Sequence, residues 1–138
     1  MKAVVDTNVL AYHLLGTPRF AAEAESFLQS AGEILAPAAW EAEIANVIWM
    51  AARTGVLPAI EAPVRLAFAS RLGVFSVSIR SLWQGALMRS LKSGVAVYDT
   101  LFVELADREQ APLVTFDRQL LRAFPDIAMQ PREIGAGS

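Results

Sequence analysis

Four carboxylates in this sequence stand at positions where side chains from distant segments could meet. They are Asp6, Asp99, Asp117 and one of the pair Glu41 and Glu43. Asp6 directly follows the short apolar run Ala3–Val5, and Asp117 comes just after a second apolar run, Leu113–Thr115. If both runs are central strands of a parallel sheet, their carboxyl ends open onto the same crevice, where ligands bind in such sheets.

A cluster of carboxylates requires a counter-ion, because acids a few ångströms apart repel and one of them would otherwise take up a proton. The sequence contains no cysteine and a single histidine, so the available ligands are hard oxygen atoms. Such ligands select Mg²⁺ or Mn²⁺ over zinc. A divalent ion held in this way can activate a water and neutralise a phosphate during an in-line displacement.

Asp99 is the most informative of these acids, because its helical position places it among apolar residues. At about 100° per residue, it falls on the arc that carries Phe102, Val103 and Ala106. A lone carboxylate there is costly unless it is paired, caps the helix or binds a cation. A different arc holds polar residues that we expect to face solvent, namely Thr100, Glu104, Asp107 and Arg108.

Each acid also has a simpler structural explanation. Asp6 and Asp117 could cap the helices that follow them, beginning near Asn8 and running through Leu120 and Leu121. Asp99 could cap its own helix or lie in its first turn, where the helix dipole favours an acid, and the same dipole favours Glu41 or Glu43 in the first turn near Ala38. Helical periodicity does not separate Glu41 from Glu43. Four separate capping coincidences at these four points are nevertheless harder to accept than one metal site.

The elements that would position these acids alternate between strand and helix. Five apolar runs predict strands: Ala3–Val5, Ile34–Ala36, Val74–Val77, Leu113–Thr115 and Ile127–Met129. Longer segments between them predict helices: Asn8–Leu15, Ala21–Ser30, Ala38–Arg53, Ala59–Leu72, Leu82–Lys92 and Tyr98–Glu109. Glycine and proline punctuate the boundaries. This alternation predicts an α/β domain with a largely parallel sheet.

Composition limits the class of protein. With 138 residues, 54% hydrophobic and 19% charged, the chain predicts one folded domain over residues 1–134 and a flexible tail over residues 135–138. The high apolar fraction suggests an additional buried face, such as a dimer contact or a partner groove. The absence of cysteines, of a membrane-length apolar run and of a secretory signal leads us to expect a cytoplasmic protein. A net charge of −2 argues against a broad basic surface for nucleic acid, although arginine suits individual phosphate contacts.

Four segments of the sequence resemble the signature segments of a known family. VVDTNVL, EIANVIW, VYDTLFVELA and LVTFD are similar, in this order and at similar separations, to those of PIN-domain ribonucleases, above all the VapC-type toxins of toxin–antitoxin pairs. The resemblance extends from Val4 to Asp117, and it is the ordered set of four that makes it specific. It implies a three-layer fold around a five-stranded parallel sheet.

The resemblance also assigns roles to residues. It implies a catalytic tetrad of Asp6, Glu43, Asp99 and Asp117, in which the Glu-x-x-Asn pattern selects Glu43 over Glu41. Asp6, Asp99 and Asp117 would bind Mg²⁺ or Mn²⁺, and Glu43 would orient a water bound to the metal. By the same resemblance, hydrogen bonds from Asn8 and Thr115 would hold the acids in place.

The resemblance further implies an activity and partners. The activity is metal-dependent endoribonucleolytic cleavage of RNA that leaves a 5′-phosphate and a 3′-hydroxyl. The partners are a second copy in a homodimer and a cognate antitoxin, whose C-terminal segment would cross a groove near the active site. The helical hairpin from Ala38 to Leu72 is apolar enough to accept it, with Trp40, Trp49 and Phe68 as possible walls, although each of these aromatics taken individually is better explained by core packing.

Two alternatives stay open. A haloacid-dehalogenase-like phosphatase also uses an Asp after its first strand as a nucleophile. However, the acid expected two residues later is Asn8 here, and Lys2 and Lys92 are the only lysines available for catalysis. The second alternative is a non-catalytic PIN-like module that binds RNA or protein and whose acids serve only as helix caps.

Overall fold

The computed structural model describes residues 1–134, which contain a five-stranded parallel sheet. The strands are β1 (Lys2–Val5), β2 (Glu33–Pro37), β3 (Val74–Val77), β4 (Leu113–Val114) and β5 (Ala128–Met129). They lie in the order β3-β2-β1-β4-β5, and every neighbouring pair is parallel. The predicted α/β class and the five-stranded parallel sheet are therefore confirmed. The predicted tail, residues 135–138, lies outside the described residues.

Helices cover both faces of the sheet, as in a three-layer α/β/α arrangement. The helices are α1 (Thr7–Leu15), α2 (Ala21–Ser30), α3 (Ala39–Arg53), α4 (Ala62–Ala69), α5 (Trp83–Ser93), α6 (Val97–Glu109) and α7 (Arg118–Ala123). Successive side chains of a strand point to opposite faces of its sheet. Ala3, Val4 and Val5 in β1 are all 0% exposed, so both faces of the central strand are buried. This explains why β1 reads as a continuous apolar run.

One predicted helix is divided in the structure. The segment predicted as Ala59–Leu72 forms a single 3₁₀ turn, Ala59–Glu61, followed by α4. Pro63 occupies the first turn of α4. Proline lacks a backbone N–H and is tolerated at the start of a helix but not in its interior. The proline therefore marks the place where the α-helix begins.

The predicted solvent-facing arc of α6 is wrong for two of its residues, because α5 packs against it. Thr100 is 0% exposed, and its hydroxyl donates to the Ala86 carbonyl oxygen at 2.9 Å. The Glu104 side chain is only 12% exposed. The two helices approach closely at Gly85, where an added Cβ would lie 2.3 Å from the Glu104 carboxyl carbon. Polar periodicity had marked this face correctly as polar, but a second helix covers it.

The predicted partner groove also needs one correction. Trp40 is only 6% exposed, and its indole N–H donates to the Ser76 hydroxyl of β3 at 2.8 Å, so Trp40 belongs to the core and is not a groove wall. Trp49 and Phe68, in contrast, are 53% and 48% exposed. Among residues 1–134, no helix is long and apolar enough to cross a membrane.

Candidate active site

Asp6 lies at the carboxyl end of β1, in the middle of the sheet. Its backbone N–H donates to the Val114 carbonyl oxygen of the neighbouring strand at 2.9 Å. Its Oδ1 accepts a hydrogen bond from the Thr7 N–H at 2.8 Å and so caps α1, which begins one residue earlier than predicted. The side chain is only 7% exposed. The structure thus gives Asp6 a capping role that uses one of its two oxygens.

The other oxygen, Oδ2, is held by two side chains. The Thr115 hydroxyl, which follows β4, donates to it at 2.7 Å, and the Asn8 amide donates at 3.3 Å. Asn8 also contacts Thr115 directly and accepts a hydrogen bond from the Phe116 N–H at 3.2 Å. Asn8 and Thr115 therefore connect the carboxyl ends of β1 and β4 through Asp6.

Asp117 is fixed by the same segment. The Thr115 hydroxyl oxygen accepts a hydrogen bond from the Asp117 N–H at 2.9 Å. Asp117 Oδ1 caps α7 by accepting from the Gln119 and Leu120 N–H groups at 2.8 and 3.2 Å. Its Oδ2 makes no hydrogen bond with any other atom of residues 1–134, so capping leaves one oxygen available to a ligand.

Glu43 and Glu41, which periodicity did not separate, point to different neighbours. Glu43 is half-buried and its Oε1 accepts a hydrogen bond from the Thr7 hydroxyl at 3.2 Å. Glu41 is exposed and its Oε2 accepts from the Ser76 hydroxyl at 3.1 Å. Thr7 follows Asp6 directly, so the structure places Glu43 beside Asp6 and directs Glu41 towards β3.

Asp99 lies in the first turn of α6 and is half-buried. The helix is capped by Ala96, which offers no side-chain hydrogen bond, and the Asp99 carboxylate makes none with the described residues. Asp99 therefore does not cap α6, but it does occupy the first turn, where the helix dipole favours an acid. A partly buried carboxylate without a hydrogen-bond donor is the kind of group that a cation satisfies.

The pKa shifts show that the four acids influence one another. Burial raises the pKa of Asp6 to about 7, the charges of Asp99 and Glu43 add to this, and hydrogen bonds from Thr115 and Thr7 oppose it. Burial and the Asp99 charge raise the pKa of Glu43, against the hydrogen bond from Thr7. Burial and the charge of Asp117 raise the pKa of Asp99. Repulsion therefore connects the acids into a single electrostatic group.

No cation within the described residues neutralises this group. The ion pairs of residues 1–134 join Lys2 to Glu109, Arg65 to Glu61, Arg89 to Glu104 and Asp107, and Arg108 to Glu104. None involves Asp6, Glu43, Asp99 or Asp117. The charge must be compensated by protons or by an ion from outside, and oxygen-only donors fit a hard divalent cation. As they stand, no three acids in the described part of the chain lie close enough together to hold such an ion.

Sequence reasoning missed one residue that organises the site. Thr7 joins two of the acids, because its backbone N–H binds Asp6 and its hydroxyl binds Glu43. The available signal was a threonine directly after the first acid. Its position alone gave no indication that its hydroxyl would meet a residue of α3, which lies far along the chain.

Comparison with known proteins places these observations in a family. The sequence matches the PIN domain over residues 3–125. It is 35% identical over 129 residues to ribonuclease VapC3 of Pyrobaculum aerophilum, covering 91% of this chain and 96% of that protein. This extent of similarity is well beyond the four short segments that suggested the family.

Solved structures show the same fold. A toxin–antitoxin complex from Klebsiella pneumoniae is similar with a TM-score of 0.65 at 18% identity, covering 94% of this chain and 97% of that one. VapBC2 from Rickettsia felis, bound to a DNA fragment from its promoter, has a TM-score of 0.65 at 15% identity, with 94% and 98% covered. Together with the domain match and the VapC3 similarity, these findings show that the chain belongs to the PIN domain family, as a VapC-type member.

Proposed function

We propose that this protein is an endoribonuclease that requires Mg²⁺ or Mn²⁺ and acts in the cytoplasm as the toxin of a toxin–antitoxin pair. The observation that carries the proposal is the group Asp6, Glu43, Asp99 and Asp117, which repulsion links through Asp99 and which has no cation partner in the described residues. The similarity to a ribonuclease supports RNA as the substrate. The phosphatase alternative gains no support from these comparisons.

Each residue has a defined task in this proposal. Asp6, Asp99 and Asp117 would hold the ion, and Glu43 would accept a hydrogen bond from the attacking water. A bound divalent ion supplies charge neutralisation at the scissile phosphate and lowers the pKa of water. Thr115 keeps Asp6 oriented through the 2.7 Å hydrogen bond from its hydroxyl. Such supporting contacts fix the direction in which a ligand oxygen points.

The test combines metal binding with RNA cleavage. Protein freed of metal by EDTA should cut a structured RNA only after Mg²⁺ or Mn²⁺ is restored, and the products should carry 5′-phosphate and 3′-hydroxyl ends. Titration calorimetry should detect Mn²⁺ binding to the unmutated protein and not to Asp6→Asn. Cleavage that continues in EDTA, or that survives Asp6→Asn, would contradict the proposal.

Further measurements on the unmutated protein and on Asp6→Asn distinguish the two alternative functions. A phosphatase would accumulate a phosphoaspartate at Asp6, which the nuclease proposal does not allow. A non-catalytic module would bind RNA equally well with and without Asp6→Asn and would cut nothing at any metal concentration. Neither result is compatible with a metal-dependent nuclease.

An antitoxin partner fits the groove between α3 and α4. This groove of about 410 Å³ is almost entirely apolar and is lined by Ala45, Ile48, Trp49, Ala52, Ala59, Ala62, Pro63 and Leu66. An exposed apolar groove on a small protein is typical of a site for an amphipathic partner segment. A homologue of a known antitoxin encoded beside this gene, and its loss of binding to Trp49→Glu, would support the proposal.

A homodimer fits a different surface. Trp83, Leu87 and Leu91 of α5 are spaced four residues apart on one side of the helix, and they are 51%, 50% and 72% exposed. A stripe of this kind is normally covered in the functional assembly. Light scattering should therefore give a dimer for the unmutated protein and a monomer for Leu87→Glu.

A further inference from the structure

A polar cavity of about 280 Å³ lies beside the candidate active site. It is lined by Arg19, Phe20, Glu23, Phe116, Arg118, Gln130 and Arg132. We call it the arginine cavity. Its residues come from the start of α2, from the segment after β4 and from the turn that follows β5, so no local stretch of sequence reveals it.

The arginine cavity adjoins the active site through the chain itself. Phe116 and Arg118, which line the cavity, flank the proposed metal ligand Asp117 on either side. The Phe116 N–H also donates to the Asn8 Oδ1, and the Asn8 amide donates to Asp6. A strand of RNA whose scissile phosphate lies at Asp117 would therefore pass the cavity.

The three arginines differ from the structural arginines of this protein. Arg19, Arg118 and Arg132 are exposed, and none of them forms an ion pair or a hydrogen bond through its side chain within residues 1–134. Arg89 and Arg108, in contrast, are occupied by acids of α6. Glu23 is the one acid in the lining of the arginine cavity, so a net positive charge remains there to attract an anion.

Packed aromatic rings form one wall of the cavity. The rings of Tyr12 and Phe20 stack with centroids 4.5 Å apart, and the Phe116 ring lies 4.9 Å from that of Phe20. The Arg19 guanidinium sits over the Phe20 ring at 5.2 Å. Aromatic packing and a cation–π contact therefore fix one side of the site before any ligand arrives.

We propose that the arginine cavity binds a phosphodiester group of the RNA strand next to the scissile bond, an inference that rests on the proposed function. Guanidinium groups bind phosphate oxygens through paired hydrogen bonds, which lysine does not reproduce. A small set of arginines at one place also explains how a chain with net charge −2 holds a polyanion close to four carboxylates. The cavity would contribute affinity and register and leave the chemical step to the acids.

The test measures RNA affinity without cleavage. In an Asp99→Asn background and in EDTA, binding of a short fluorescein-labelled single-stranded RNA is followed by anisotropy over a range of salt concentrations. The cavity variant is Arg19→Gln/Arg132→Gln. The control is Arg71→Gln/Lys92→Gln, which removes the same charge from exposed residues outside the cavity. Both variants are checked for an unchanged melting temperature.

The cavity variant should bind the RNA roughly tenfold more weakly, and its slope of log Kd against log salt should fall by about 0.7, which is the change expected when one neutralised phosphate of a single strand is lost. The control should remain close to the Asp99→Asn parent. Arg19→Lys/Arg132→Lys should keep the salt slope and recover only part of the affinity.

Equal binding by the cavity variant and the control would overturn the proposal, and so would a parent that does not bind RNA. In the first case an acidic protein segment becomes the better candidate occupant. The failure of the proposed function is visible separately, because cleavage by the unmutated protein depends on the acids. If the cavity variant binds RNA more weakly than the control but the unmutated protein does not cleave RNA, the RNA-binding role of the cavity is supported and the nuclease proposal is contradicted.

Discussion

Helix α6 carries two carboxylates that the protein treats in opposite ways. Asp99 lies in the first turn beside three other acids, and burial and the charge of Asp117 raise its pKa. Glu104 lies five residues later, and although burial opposes it, hydrogen bonds and charges from Arg89 and Arg108 lower its pKa overall. Both side chains are at least partly buried. The difference is that the fold places two arginines beside Glu104 and a further acid, Asp117, near Asp99.

The two ends of α6 therefore differ in role: ion pairs at the Glu104 end stabilise the fold, and the Asp99 end belongs to the candidate active site. Arg89 holds Glu104 at 2.9 Å and Asp107 at 2.7 Å, which fastens α5 to α6. The Asp99 end of the helix has no such partner in the described residues and retains unfavourable charge in the folded protein. Perturbed acids of this kind concentrate at functional sites. The arginine-paired end of α6 is therefore the natural control for experiments on its acidic end.

The largest expected effect compares Asp99→Asn with Glu104→Gln in RNA cleavage. Asp99→Asn removes a proposed ligand, and we expect cleavage to fall about a hundredfold to a thousandfold, because a single group that stabilises developing charge contributes on this scale. Glu104→Gln should leave the rate within about threefold. Cleavage rates with Mn²⁺ at neutral pH measure both, and similar losses in the two variants would show that α6 matters only through its packing.

The next effect is on the pH dependence of unfolding in EDTA. The pKa of Asp6 rises from 3.8 to about 7 on folding, so the folded state binds the proton more tightly than the unfolded state. The free energy of unfolding should therefore be highest near pH 4 and decrease as the pH rises through about 7, by roughly 4 kcal/mol at most. Glu43 and Asp99 add in the same direction.

Urea unfolding in a pH series checks this decrease. Asp6→Asn should flatten most of it, because asparagine does not titrate, although its single amide oxygen can accept from Thr7 or from Thr115 but not from both. Glu104, whose pKa is lowered by folding, contributes stability that is present above its unfolded pKa and is lost in acid. A free energy of unfolding that rises between about pH 5 and pH 7 in EDTA would contradict the inference that folding raises the pKa of Asp6.

A bound metal ion should remove the electrostatic repulsion among the acids at the Asp99 end of α6. It should have no effect at the Glu104 end. At a Mn²⁺ concentration about a hundredfold above its Kd, the unmutated protein should gain about 2.7 kcal/mol of stability. The gain should be larger at higher pH, since the ion displaces protons from the acids. Thermal melts should show the shift in Glu104→Gln and not in Asp99→Asn; a shift in both would place the ion elsewhere.

The smallest effect concerns stability without metal. Glu104→Gln should lower the free energy of unfolding by about 1–2 kcal/mol, because Arg108 loses its acid and Arg89 keeps only Asp107. The value is modest because Arg89 and Arg108 keep 25% and 46% of their side chains exposed. Asp99→Asn should leave stability unchanged or raise it slightly in EDTA at neutral pH. Chemical denaturation of both variants under identical conditions shows whether each substitution lowers or raises the free energy of unfolding.

The sequence predicted much of this fold because its signals are local. Short apolar runs bounded by glycine and proline marked the five strands, and the structure confirms them within one or two residues. The alternation of strand and helix then implied a parallel sheet, and a parallel sheet brings the carboxyl ends of neighbouring strands together. In the structure, Thr115 of one such end binds Asp6 of the other at 2.7 Å.

Several features depend on which elements face each other, and no local pattern contains that information. Periodicity alone left Glu41 and Glu43 undecided, while the structure separates them through Thr7 and Ser76. The polar arc of α6 was expected to meet solvent, but α5 covers Thr100 and Glu104.

The arginine cavity is the extreme case, since Arg19, Arg118 and Arg132 come from segments far apart in the chain. The sequence by itself determined the strands, the helices and the positions of the four acids, because backbone geometry and side-chain spacing act over a few residues. The tertiary structure alone decided which acids receive an arginine and which have no cation partner in residues 1–134, because that depends on side chains brought together from distant elements by packing.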